Sequence, residues 1–82
     1  PGPSTKKTAV LMIAYSVEAV SRGLKDLDEN SISQMVDRVI DQQMSEGQFR
    51  NANLTMHDFT EIRNVLKHKL SSIYHVRIAY PK

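Results

Sequence analysis

Residues 9–24, AVLMIAYSVEAVSRGL, decide the architecture of this 82-residue chain. They begin with seven consecutive apolar or aromatic residues, and apolar residues continue as far as Val20. Four polar residues interrupt the stretch before Gly23: Ser16, Glu18, Ser21 and Arg22. A short apolar run fits either a strand or a helix, so length has to decide. Since neither Gly nor Pro breaks it, the stretch predicts a helix over about 5–22 that Gly23 ends in a left-handed conformation.

A second helix is predicted over about 31–46. Ser31 can cap its amino end, with Gln34 three residues later as the partner in a capping box. Gly47 supplies the stop at the carboxyl end. Apolar residues mark one face of this helix at helical spacing: Ile32, Met35, Val36, Val39 and Ile40. The polar side chains of Asp37, Arg38 and Asp41 lie away from that face.

A third helix is predicted over about 55–75, with Thr55 as its cap and Asp58 in the reciprocal position. Its apolar stripe consists of Phe59, Ile62, Leu66, Leu70 and Ile73, with Val65 beside it. The alternating residues 76–82, VRIAYPK, predict an extended C-terminal tail. The fold class is therefore all-α. We expect helices two and three to form an antiparallel pair, with helix one lying across them.

Composition excludes several classes of function. The chain contains no cysteine, which excludes disulfides and zinc sites built on thiolates. Its longest apolar run of seven residues is far below the roughly 20 needed to span a bilayer, so we expect no direct membrane contact. The net charge of +2 is too small to indicate a nucleic-acid polymer as partner.

Helix one is more apolar than a chain of this size can shelter. A domain of 82 residues buries only about 60–65% of the surface that its unfolded chain exposes. Leaving half of residues 9–20 in water would be costly, because each buried aliphatic side chain contributes about 1.5–3 kcal/mol relative to exposure. We therefore expect either additional protein or a second copy of the chain to cover this helix. A free-standing helical module for interaction or dimerisation is the alternative.

Four stretches in the same order resemble the HD-type phosphohydrolase domain of seven-transmembrane HD proteins. They are PGPSTKKTAVLMIAYSVEAVSRGL, SISQMVDRVIDQQMSEGQF, LTMHDF and the terminal HVRIAYP. The last stretch matches a family pattern through His75, Arg77, Ile78, Tyr80 and Pro81. The resemblance implies that residues 1–82 are the C-terminal helical segment of a larger domain, whose upstream His and His-Asp motifs are absent from this chain.

The same resemblance implies a function. The family consists of membrane-anchored bacterial proteins whose cytoplasmic domain hydrolyses cyclic di-AMP with a pair of divalent metal ions. Its pattern reads Ala-Asp-Ser-Val-Glu-Ala, and the Asp is a metal ligand. In this chain Tyr15 occupies the Asp position. A phenol has a pKa near 10 and is neutral at pH 7, so weakened or lost metal binding is expected. We expect this segment alone to be inactive and to supply no catalytic residue.

Two further groups of residues are candidates for binding. Arg22 could contact a nucleotide phosphate, although its spacing from Glu18 also fits a local ion pair on the helix surface. His57, Glu61, His68 and His75 recur along one side of helix three. Since His57 and His68 would lie ~16 Å apart along the axis, the four residues cannot share one metal ion. A solvated row of histidines is the expectation.

Overall fold

Three α-helices form the fold. The computed structural model describes residues 5–25 and 28–79, which contain α1 (Lys6–Ser21), α2 (Glu29–Ser45) and α3 (Met56–Ala79). No strand occurs within those residues. The arrangement is elongated, with principal extents of 46 × 20 × 18 Å. The predicted all-α class with three helices is confirmed.

The start of α1 agrees with the sequence, but its end is built differently. Thr5 is the N-cap, and its side chain accepts a hydrogen bond from the Thr8 amide. At the other end the prediction of a left-handed Gly23 is wrong. Arg22 caps the helix in the right-handed conformation, and the Gly23 amide donates to the Val20 carbonyl at 3.0 Å. The last turn thus tightens without needing a glycine of positive φ.

The start of α2 corrects the predicted cap. Asp28, not Ser31, is the N-cap, and its carboxylate accepts a hydrogen bond of 2.7 Å from the Ser31 amide. The helix therefore begins at Glu29. An aspartate is the stronger choice here because its negative charge also interacts favourably with the positive end of the helix. The predicted stop is confirmed, since Gly47 has φ 73° just beyond the last turn.

The prediction for the start of α3 is confirmed, and the prediction for its end is wrong. The predicted capping box is confirmed, since the Thr55 amide donates to Asp58 and the Asp58 amide donates to the Thr55 hydroxyl, both at 3.0 Å. The predicted extended tail is wrong over residues 76–79, which continue the helix to Ala79. Four alternating residues are too few to fix a period, and extending an existing helix costs little. Tyr80 and Pro81 lie outside the described residues.

Helices α2 and α3 pack as the predicted antiparallel pair. Arg63 lies 2.7 Å from Asp37 and 2.6 Å from Asp41, and Lys67 also reaches Asp37, so later residues of α3 meet earlier residues of α2. Helix α1 packs against this pair through Ile13 and Val17. Near its start Lys6 lies 3.4 Å from Asp58, at the start of α3.

The core is formed by one face of each helix. Its buried side chains are Ile13, Val17, Ile32, Met35, Val36, Ile40 and Phe59. The loop between α2 and α3 closes one end of this core, where the rings of Phe49 and Phe59 meet edge to face with centroids 5.1 Å apart. The predicted α2 face is confirmed. On α3, however, Ile73 is half exposed, and Tyr74 packs against the core in its place.

Candidate functional site

Helix α1 has one buried face and one open face. Ala9, Ile13 and Val17, each four residues after the last, are almost completely buried. Successive residues of a helix are rotated by about 100°, so the side chains opposite this row point away from α2 and α3. The sequence predicted that α1 would keep an apolar surface uncovered by its own neighbours. The exposure of Leu11, which lies opposite the buried row and is 44% exposed, is consistent with that expectation.

The open face carries a row of four side chains, Leu11, Tyr15, Glu18 and Arg22, which we call the α1 strip. Spacings of four, three and four residues align them along the helix. Tyr15 is 71% exposed and lies in the middle of the strip. The residue that the sequence analysis placed at a family ligand position therefore points outward from the bundle.

Arg22 and Glu18 form a two-point ion pair at the end of the strip. The Arg22 Nε donates to Glu18 Oε2 at 2.8 Å, and its Nη2 donates to Glu18 Oε1 at 3.1 Å. Both side chains are largely exposed, so the pair contributes only a few tenths of a kcal/mol. The Nη1 edge of the guanidinium takes no part in this pair. Arg22 therefore retains donors that an anion could use.

Within the residues that the structure describes, no three His, Cys, Asp or Glu side chains come together in a way that could hold a metal ion. His57 lies 3.5 Å from Glu61 in an exposed pair, and His68 is exposed farther along α3. His57 and His68 thus have the solvated surroundings expected of them. The phenol of Tyr15 is a poor match for a divalent centre, because a hard cation prefers an anionic carboxylate.

A polar contact behind the strip was missed by the sequence analysis. The Gln43 amide nitrogen donates to the Ser16 hydroxyl at 2.8 Å and joins α2 to α1. The Gln43 Oε1 atom is buried and has no hydrogen-bond partner among the described residues. The sequence shows only that Ser16 directly follows Tyr15. The folded structure is needed to identify Gln43 as the hydrogen-bond partner of Ser16. This contact helps to fix the rotation of α1, and hence the direction of Tyr15.

Two concave surfaces flank the α1 strip. A cavity of about 400 Å³ lies where the end of α1 meets α2 and α3, and its lining includes Glu18, Arg22, Leu24 and Tyr74. A smaller apolar groove of about 230 Å³ lies between α1 and α3. Its lining residues are Val10, Glu61, Ile62, Val65 and Leu66. None of the helices in the described part of the chain is both long and apolar enough to cross a membrane.

Comparison with known proteins identifies relatives for nearly the whole chain. No family model matches it. The chain is 36% identical over 81 residues to the cyclic-di-AMP phosphodiesterase PgpH of Listeria monocytogenes, with 99% of the chain aligned. It is 33% identical over 82 residues to the PgpH of Bacillus subtilis. The chain spans only 11% and 12% of the length of these two relatives.

Solved structures support the same relationship at the level of the fold. The crystal structure of the L. monocytogenes PgpH HD domain matches with a TM-score of 0.87 and 33% identity, over 92% of this chain and 36% of that one. The same domain in complex with cyclic-di-AMP matches with a TM-score of 0.86 and 32% identity, over 90% of this chain and 35% of the other. The chain is therefore homologous to PgpH, and its three helices match part of the helical HD domain fold. The resemblance predicted from the sequence is confirmed to this extent.

Proposed function

We propose that this chain is the C-terminal helical segment of an HD-type phosphodiesterase domain whose ligand is a cyclic dinucleotide. The observation that carries the proposal is the likeness of all three helices to the PgpH HD domain, at more than 30% identity. That domain has been crystallised with cyclic-di-AMP, which supports a ligand of this class. On the same reasoning the parent protein is anchored to a membrane and its HD domain is cytoplasmic.

The segment by itself has no catalytic centre in this proposal. The divalent metal pair of the family would depend on residues outside this chain, and the residues present do not fit such a centre. Tyr15 takes the position of the carboxylate ligand, and a neutral phenol is a weak ligand for a hard divalent cation. The parent protein is then a degenerate member that binds the nucleotide but hydrolyses it poorly or not at all. Arg22 contributes to substrate binding through a phosphate.

The partner of the open face is the remainder of the HD domain, packed against residues 9–20. Leu11 exposes apolar surface on this face, and Val10 exposes more in the groove beside α3. Between 64% and 65% of each matched HD domain chain has no counterpart here, which is enough protein to cover this face. A homodimer partner on the same surface, in a free-standing interaction module, is the second candidate. The same exposed apolar side chains favour it.

Hydrolysis assays test the proposal. Cyclic di-AMP and Mn²⁺ are added to the 82-residue chain, to the longer polypeptide that contains it, and to Tyr15→Asp and Tyr15→Asn variants of that polypeptide. We expect no turnover by the chain alone and little by the parent. Tyr15→Asp should raise the rate of hydrolysis by at least tenfold. Tyr15→Asn is the matched control, because asparagine has nearly the same size as aspartate but carries no charge.

The assays are paired with a binding measurement. Equilibrium dialysis with radiolabelled cyclic di-AMP should detect binding by the longer polypeptide even where turnover is absent. Turnover by the 82-residue chain would contradict the assignment as an incomplete segment. Hydrolysis by the unmodified parent at the rate of Tyr15→Asp would contradict the degenerate site. Absence of binding by both parent and Tyr15→Asp would reject the ligand class.

A further inference from the structure

Tyr15 is unusual among the aromatic side chains that the structure describes. Phe59 and Phe49 pack on each other in the core, and Tyr74 packs against the same cluster. Tyr15 instead points away from the core and leaves 71% of its surface exposed. The folded bundle gains little from an aromatic ring in this position, because hydrophobic stabilisation depends on the area removed from water. The ring is exposed in this segment, so a ligand held between α1 and the remainder of the HD domain would reach it.

The residues that follow Tyr15 extend this accessible surface. Arg22 is seven positions later, about 10 Å along the axis and nearly in line with Tyr15 around the helix. Ala19 lies between them, is exposed, and has only a methyl group. A planar ring and a guanidinium group are thus separated by a low surface on which a flat ligand could lie.

The electrostatics of the α1 strip limit what Arg22 can do alone. Its Nε and Nη2 atoms are engaged by Glu18, and Nη1 remains outside that pair. The Glu18 carboxylate holds the guanidinium but also repels an approaching phosphate. Arg22 therefore offers phosphate recognition of modest strength. A ligand that binds here needs a second contact that is not electrostatic.

We propose that Tyr15 stacks on a purine base of the cyclic dinucleotide while the free edge of Arg22 contacts its phosphodiester. Every purine has a π face that an aromatic side chain can stack on, and the guanidinium fork suits a phosphate. The strip is then a base-and-phosphate contact site that works without a metal ion. This inference rests on the proposed function, since it assigns a ligand contact to the same site.

Binding measured without metal separates stacking from metal ligation. Cyclic di-AMP is titrated calorimetrically, in EDTA, into the longer polypeptide and its Tyr15→Phe, Tyr15→Leu and Arg22→Gln variants. Tyr15→Phe keeps the ring and should bind within twofold of the parent. Tyr15→Leu keeps apolar bulk but loses the ring, and should weaken binding about five- to 150-fold, the range expected for one base–aromatic stack. Arg22→Gln should weaken it several-fold.

A spectroscopic readout distinguishes stacking from a structural effect. The adenine H2 and H8 resonances should move upfield on binding to the parent and to Tyr15→Phe, and should not do so with Tyr15→Leu, because the shift requires an aromatic ring current. Gln34→Ala, at an exposed position of α2, is the control and should match the parent. Thermal unfolding of every variant checks that the fold is intact.

The outcomes of these measurements separate the stacking role of Tyr15 from the proposed function. Equal binding by Tyr15→Leu and the parent overturns the stacking role and leaves the proposed function standing. Equally weak binding by Tyr15→Phe and Tyr15→Leu overturns it as well, because the hydroxyl and not the ring is then required. Binding by the parent that appears only with Mn²⁺ overturns the claim that the strip binds the ligand without a metal ion. No binding by the parent or by Tyr15→Asp, with or without Mn²⁺, rejects the proposed function and this inference together.

Discussion

At the scale of single residues, local pairs were predictable and distant pairs were not. The Thr55–Asp58 capping box is written in four consecutive residues and folds as predicted. The hydrogen bond from the Thr55 amide is the largest cause that lowers the pKa of Asp58. Arg63, by contrast, reaches Asp37 across 26 positions of sequence. Sequence spacing predicts partners within one turn of a helix but not across two helices.

Asp37 is the residue with the most consequential distant contacts. Partial burial raises the pKa of Asp37, but hydrogen bonds from Arg63 and Lys67, together with their positive charges, outweigh this effect and lower it overall. Burial lowers the pKa of Arg63, but its hydrogen bonds to Asp41 and Asp37 and their negative charges outweigh this effect and raise it overall. The charges thus link α2 to α3 along their contact.

We predict that Asp37→Asn makes the stability of the fold less dependent on pH. A carboxylate whose pKa is lower in the folded state stabilises the fold above its unfolded pKa near 3.8, and that stability is lost as the pH falls through the folded value. At pH 7 the variant should lose about 1 kcal/mol, a modest figure because Asp37 is partly exposed to solvent.

Urea unfolding at pH 7 and at steps below pH 4 checks this prediction. The difference in the free energy of unfolding between the unmodified chain and Asp37→Asn should shrink as the pH falls. Gln34→Ala, on an exposed position of the same helix, should differ from the parent by an amount that does not change with pH. A difference between parent and Asp37→Asn that stays constant down to pH 2 would contradict the role assigned to the cluster.

At the scale of elements, α1 shows how tertiary packing chooses one face of a nearly uniform helix. Its sequence offers apolar side chains in almost every direction, so periodicity alone could not say which would be buried. The structure buries Ala9, Ile13 and Val17 and leaves Leu11 44% exposed. The contact between Gln43 and Ser16 is consistent with this rotation.

We predict that Ile13→Ala and Leu11→Ala, two residues apart on the same helix, differ strongly in cost. Ile13 is fully buried, so its truncation should lower the free energy of unfolding by about 3 kcal/mol. Leu11→Ala should cost less than about 1 kcal/mol in the 82-residue chain, since Leu11 is already 44% exposed. Urea denaturation monitored by circular dichroism measures both. Similar costs for the two variants would mean that α1 is rotated differently.

At the scale of the whole molecule, the exposed apolar side chains exceed what a small bundle needs. Val10, Leu11 and Val20 of α1 and Val65 and Ile73 of α3 are each between 39% and 53% exposed. Three of the five lie on the helix that the sequence predicted to be covered by additional protein. Val10 and Val65 line the same groove between α1 and α3, and an apolar surface of this kind marks an interaction surface or a site of aggregation.

We therefore predict that the isolated 82-residue chain self-associates weakly through this surface. Val10→Lys combined with Val65→Lys charges both sides of the groove between α1 and α3 and should give a monomer in sedimentation velocity. Gln34→Lys combined with Gln42→Lys adds the same charge to exposed positions of α2 and should leave the association unchanged. If the unmodified 82-residue chain stays monomeric at millimolar concentration, its exposed apolar side chains need no partner to cover them.

The sequence by itself determined the helical class, the buried face of α2, the cap of α3 and the relationship to HD-type phosphodiesterases. Each depends on residues close together in the chain or on an ordered set of motifs. The structure corrected two local assignments, since Asp28 and not Ser31 begins α2 and α3 continues through residues 76–79. Only tertiary packing decided that Tyr74 replaces Ile73 in the core. It also decided the direction of Tyr15. These features depend on which surfaces the three helices bury against one another, and that choice minimises exposed apolar area over the whole molecule and not over any single segment.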